Sequence, residues 1–121
     1  MASVANPILD DETLKQYTGG DETITRHIYR KFLAQSRNDV GMLRDAFGRN
    51  AATDICGAAH RIKGSSQMIG AVRQSELSEQ IEKAARGGDV ATARAAMEEF
   101  EREHELLLGH LAALVGESVG N

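Results

Sequence analysis

From residue 8 to residue 121 the chain contains no proline; its single one is Pro7. Proline lacks the amide donor a helix interior needs and clashes with the preceding turn, so its absence leaves long helices open throughout. Ala, Leu, Glu, Arg and Lys dominate this stretch, and alternating β-branched residues are scarce, so a 3.6-residue period governs the chain. The expected fold class is all-α. At 121 residues one domain with one buried core is expected.

The helix signals divide the chain into a flexible leader, 1–9, and a helical domain, 10–121. Asp10 or Asp11 caps a short first helix that stops at Gly19-Gly20, and Asp21 caps a long second one. The second helix carries Ile24, Ile28, Phe32, Leu33, Val40, Leu43 and Phe47 along one stripe and frays at Gly48-Arg49-Asn50. Thr53 or Asp54 caps the third, with Ile55, Ala58, Ala59, Ile62 and Ile69 facing inward and Gly70 ending it. The fourth runs from about Ser75 through Leu77, Ile81, Ala84 and Ala85 to Gly87-Gly88, and Asp89 caps the last, whose stripe is Met97, Phe100, Leu107, Leu108, Leu111 and Leu114. Four long helices with short links pack most simply as an antiparallel four-helix bundle, here with a short additional N-terminal helix.

Several functions are excluded at this level. Fourteen Lys and Arg against eighteen Asp and Glu give a net charge of −4, and there are only five aromatics, so no nucleic acid is expected as a partner. The N-terminus has no basic start before an apolar stretch, and the apolar run from Leu106 is broken at Gly109-His110, so neither secretion nor membrane contact is expected. The lone Cys56 forms no internal disulfide and no thiol-based zinc site; a reducing, cytoplasmic setting fits. Phosphate-loop and dinucleotide-binding fingerprints are missing, so neither ATP binding nor autokinase activity is expected. Glu101 and His104 form one Glu-x-x-His unit where a di-iron bundle needs two, and a hydrogen-bonded His104 at the core edge is the simpler reading. His27 and His110 have no partner at metal spacing. Glu98, Glu99, Glu101, Glu103 and Glu105 read as a solvated acidic face.

One histidine stands apart. At 100° per residue His60 lies about 160° from Ile62 and Ala58, so it points away from the apolar stripe of its helix. Cys56 and Gly57 lie one turn back on its face, Lys63 and Gly64 one turn on, and Gln67 a turn further. Each interior glycine costs a helix about 1 kcal/mol relative to alanine. Beside an exposed imidazole, the two glycines leave the ring open to a large incoming body. Lys63 is placed to supply positive charge to an anionic group carried on the ring, and a neutral imidazole is itself a nucleophile near pH 7.

The stretch His60-Arg61-Ile62-Lys63-Gly64-Ser65-Ser66-Gln67-Met68-Ile69-Gly70-Ala71 resembles the H-x-x-K-G-S-S-x-x-x-G-A signature of histidine-containing phosphotransfer (HPt) domains. Ile8-Leu9-Asp10, Leu14 and Gly19-Gly20-Asp21 are similar to the start of HPt modules at the C-terminal end of bacterial hybrid sensor kinases, so the resemblance spans about residues 8 to 115. It implies a four-helix bundle whose His60 accepts a phosphoryl group from one response-regulator receiver aspartate and passes it to another, without turnover chemistry of its own. Lys63 and Gly64 carry over by position, and Ser65 and Ser66 as the small residues that follow. The Mg2+ ion is expected in the receiver, with no cofactor in this chain. Cys56, Gly57, Arg61 and Gln67 are the expected docking contacts. The chain either stands alone or forms part of a larger hybrid sensor kinase.

Counting from a turn at Ala71 adds one residue. His60 lies eleven residues before Ala71 and Glu82 eleven after it, and antiparallel helices rise equally per residue, so the two stand at one height. HPt domains often place Glu or Gln there to hold the ring, and a carboxylate on Nδ1 fixes the tautomer and leaves Nε2 as the nucleophile. The alternative, from another functional class, is a helical adaptor that uses the same exposed ridge for binding only.

Overall fold

A computed structural model describes residues 7–116, and among these the chain forms five helices: α1 (Glu12–Thr18), α2 (Glu22–Gly48), α3 (Ala52–Ile69), α4 (Val72–Arg86) and α5 (Val90–Val115). The last four pack consecutively, with α5 closing back on α2, and the links between them are two or three residues long. Links this short reverse the chain, so the arrangement is the expected up-and-down antiparallel bundle, with α1 laid across α2 and α3.

The capping signals explain where most helices begin and end. Asp21 accepts hydrogen bonds from the Thr23 and Ile24 amides, and Asp89 from that of Thr92. Asp10 accepts from the Glu12 amide, and Gly19 and Gly70 end their helices in the left-handed conformation. Gly70 has a second constraint: a Cβ there would stand 2.3 Å from the Asp10 carbonyl oxygen, which belongs to the segment whose amide bonds Gly70 in return. Two starts differ from expectation. The third helix begins at Ala52 after Ala51 rather than at a Thr53 or Asp54 cap, and the fourth begins at Val72 rather than near Ser75. In both cases the tight link starts the helix by itself: the Ala51 and Ala71 carbonyls already accept from Ile55 and Ser75.

The core has two parts. Val40, Leu43, Phe47, Ile55, Ala59, Ile62, Ile81, Ala85, Met97 and Phe100 fill the half beneath His60; Leu14, Tyr29, Phe32, Ile69, Ala71, Leu107, Leu111 and Val115 fill the other. Ile8 and Leu9 pack against the second part, so the end of the expected leader joins the bundle, whereas its residues 1–6 lie outside the described region. Ile24 and Leu114, expected in the stripes, are exposed near the ends of their helices, and Tyr29 and Val115 take inward positions instead. Leu33, Ala58, Ala84 and Leu108 are half-buried.

The acidic face of α5 is not uniformly solvated. Glu103 is buried and paired with Arg73 of α4 at 2.9 Å, and Glu101 is held by both Nε and Nη2 of Arg44 from α2. A helix packed on two sides turns part of any charged run inward, where pairing becomes obligatory. Between these pairs His104 is buried against Phe100, and its Nδ1 donates to Gln74 Oε1 at 2.8 Å while Gln74 Nε2 donates to the fully buried Ser66 hydroxyl.

Burial pushes the His104 pKa down to about 4, with Arg44 adding to the effect and Glu101 opposing it. The unfolded chain takes up this proton near pH 6.5, the folded one only near pH 4, so in between the unfolded state holds more protons and acidification costs stability, by about 1.4 kcal/mol per pH unit. Urea unfolding is expected to show wild-type stability falling by about 2 kcal/mol between pH 7 and pH 5, and His104→Gln nearly flat over the same range. Parallel pH profiles would show that His104 does not carry the effect.

Candidate functional site

His60 sits midway along α3 on the face turned from the core, and 68% of its side chain is exposed. Ile62 and Ala59, on the opposite stripe, are buried, which is what fixes the rotation of the helix and presents the imidazole outward. Across the α3–α4 seam, Glu82 Oε2 accepts a 2.8 Å hydrogen bond from His60 Nδ1. The equal-height count from Ala71 therefore holds. Glu82 lies beside the inward-facing Ile81, at the edge of the seam, and only 3% of its side chain is exposed.

Two more cations meet this carboxylate. Lys63 Nζ stands 2.9 Å from Oε1, and Arg86 Nη2 donates to Oε2 at 2.6 Å, the oxygen already bonded to the ring. Burial alone would push the Glu82 carboxyl up, but the contacts and charges of Lys63 and His60 outweigh it and hold the group below the usual carboxylate range. A carboxylate kept ionised can only accept, so the Nδ1 of a neutral ring must carry the proton, and the lone pair resides on Nε2, on the exposed side.

Each residue singled out in the sequence has a definite place. Lys63 is half-buried and spends its charge on Glu82 instead of projecting past the ring. Gly64 and Gln67 are exposed along the ridge beyond His60. Gly57 and Arg61 line a groove of about 600 Å³ between α2 and α3, whose other wall includes Arg37, Gly41 and Met42. Cys56 is half-buried against the core and offers the ridge less surface than expected. Ser65 is half-buried and Ser66 fully buried, as small residues turned toward the core. His104 stays in the core, and His27 and His110 are exposed on α2 and α5. Arg86 was not anticipated, although its position four residues after Glu82 on one helix carried the signal.

Adding a Cβ at Gly57 or Gly64 would meet nothing within 4 Å. Neither glycine is required by internal packing, so the helix stability each forgoes keeps the surface around the ring low.

The fold and the site together are those of a helical bundle presenting an exposed imidazole whose other nitrogen is held by a buried carboxylate. Residues 27–115 match the family model described as the Hpt domain, and the chain belongs to that family. Its role is histidine phosphotransfer in a two-component phosphorelay. Among solved structures the chain is similar to histidine-containing phosphotransfer protein B from Pseudomonas aeruginosa PAO1, with 27% identity, a TM-score of 0.81 and coverage of 88% of this chain and 93% of that one. No curated protein matches the sequence. Among the described residues no helix is long and apolar enough to cross a membrane.

Nitrogen-15 NMR of the wild type is expected to show His60 predominantly as the Nδ1–H tautomer. Glu82→Ala should mix the two tautomers and slow phosphorylation roughly tenfold without abolishing it, while Glu82→Gln keeps most of the orientation. An unchanged tautomer in Glu82→Ala would mean that the carboxylate does not orient the ring.

Proposed function

We propose that His60 takes a phosphoryl group onto Nε2 from the aspartyl phosphate of one response-regulator receiver domain and delivers it to the aspartate of a second. The observation that supports this reading most directly is the pairing of an exposed Nε2 with an Nδ1 anchored on buried Glu82. In the forward step the Nε2 lone pair attacks phosphorus, the phosphorus–oxygen bond breaks, and its electrons return to the aspartate. The ring becomes a phosphorylated imidazolium whose Nδ1 proton rests against Glu82, so no separate base is needed.

Lys63 and Gly64 serve this step differently. Lys63 holds Glu82 at rest and lies near enough to the ridge to answer the charge of an arriving phosphoryl group, while Gly64 keeps the approach open. The acidic pocket and Mg2+ belong to the receiver, and this chain works in the cytoplasm as a carrier without ATP-binding or autokinase activity, alone or within a larger hybrid sensor kinase. Gly57, Arg61 and Gln67, with the edge of Cys56, form the docking surface around the ring, a transient interface below about 1,200 Å².

Incubation with a radiolabelled phospho-receiver tests the reading. Wild type is expected to acquire an acid-labile label, and His60→Gln to acquire none while keeping its helical content and melting temperature. Label retained in His60→Gln would move the site elsewhere, and an unlabelled wild type that still binds the receiver would make the chain an adaptor. Gly64→Leu should gain about 0.8 kcal/mol in helix propensity and lose orders of magnitude in transfer from the receiver; transfer at the wild-type rate would refute the steric role of Gly64.

A further inference from the structure

Glu82 Oε2 carries two donors at once: His60 Nδ1 at 2.8 Å from α3, and Arg86 Nη2 at 2.6 Å from the last turn of its own helix. Lys63, from α3, takes the other oxygen at 2.9 Å. The carboxylate thus stands between cations pulling from opposite ends. We propose that Arg86 is a positioning residue for His60: it holds Oε2 against Nδ1 and so sets the tautomer and the readiness of Nε2 to accept a phosphoryl group. This inference rests on the reading of His60 as phosphoacceptor.

The physical case begins with the freedom of a glutamate end group. The terminal torsion of Glu is broad and nearly two-fold, so the plane of the carboxylate is set by its partners rather than by its own rotamer. With Lys63 alone as the permanent cation, an ammonium presenting three donors can draw both oxygens toward itself, and Oε2 then leaves the ring. A guanidinium on Oε2 opposes that rotation with a rigid planar donor set. Few other groups are placed to replace it. Lys83, next in sequence to Glu82, is paired with Glu79 at 3.0 Å, and solvent admitted by loss of Arg86 would bring a neutral, freely turning donor in place of a charged, tethered one.

Arg86 also has a bland explanation, because a cation in the last turn of a helix, four residues after a glutamate, stabilises the helix end. That role predicts a change in stability alone. The positioning role predicts a change at the ring of a residue on another helix. Its side chain is 62% exposed, so truncation leaves no cavity and the variant is expected to fold.

The experiment compares wild type, Arg86→Ala and Arg86→Lys in two measurements: His60 nitrogen-15 shifts, and labelling by phosphoramidate, a small donor that needs no docking surface. In that labelling Nε2 bonds to phosphorus, the phosphorus–nitrogen bond of the donor breaks, and ammonia leaves with a proton from solvent. Arg86→Ala is expected to lower the Nδ1–H tautomer fraction and slow labelling roughly three- to tenfold, less than loss of a directly bonded partner would, and Arg86→Lys to restore most of both. Unchanged tautomer and rate in Arg86→Ala would overturn the proposal. Labelling slowed only with a phospho-receiver as donor would also overturn it, making Arg86 a docking contact. Should wild-type His60 accept no phosphoryl group from either donor, the phosphoacceptor reading itself fails, and the tautomer comparison, which needs no donor, still decides whether Arg86 positions the ring.

Discussion

A carboxylate that is almost entirely covered must be compensated, since an unpaired buried charge costs several kcal/mol. Glu82 meets that requirement with partners from two helices, and this restricts how α3 and α4 can pair. Sliding one helix past the other by a single turn, about 5.4 Å, would carry Lys63 and His60 away from the carboxylate and leave Arg86, on its own helix, to compensate the charge. The apolar contacts beneath, from Ile55, Ala59, Ile62, Ile81 and Ala85, supply burial without the directional demand of a charge. Near the turn the buried run from Ser66 through Gln74 to His104 fixes the same seam a second time and ties it to α5. The site that holds the ring is thereby part of what aligns the bundle.

Legibility in the sequence followed the range of the forces involved. Asp21, Asp89, Gly19 and Gly70 act on amides and carbonyls a few residues away, so their effects could be read directly. The starts at Ala52 and Val72 could not, because a tight interhelical link rather than a side chain satisfies their first turns. His60 and Glu82 were found by helix rotation and by counting from one turn, both of which survive while helices stay regular. Burial of Glu103, the pairing of Lys63 with Glu82, and the inward place of Tyr29 depend on which helix stands opposite, and periodicity along one helix holds no such information.

Core packing and the open surface beside the ring lie on opposite faces of α3. The inward face carries Ile55, Ala59, Ile62 and Ile69, with large side chains packed in a core where each lost methylene costs stability. The outward face carries His60 and two glycines with open space above them, where substitution changes propensity and surface shape but no packing. A partner can therefore be fitted to the ridge without disturbing the core beneath it. The groove that continues the ridge past Gly57 and Arg61 toward Gly41 on α2 has a low floor as well, between walls that carry both arginines and aspartates.

A carrier must release its cargo as readily as it accepts it, and the geometry around the ring treats both directions alike. In the proposed acceptance the Nδ1 proton stays where it is while Nε2 gains a bond; in the proposed release the bond electrons return to Nε2 and the same proton remains beside Glu82. By microscopic reversibility transfer and return pass through one transition state, and neither direction needs a base to gain or lose a proton. The proposed orientation from the Nδ1 side thus leaves the direction of transfer to the relative stabilities of the phosphorylated donor and acceptor.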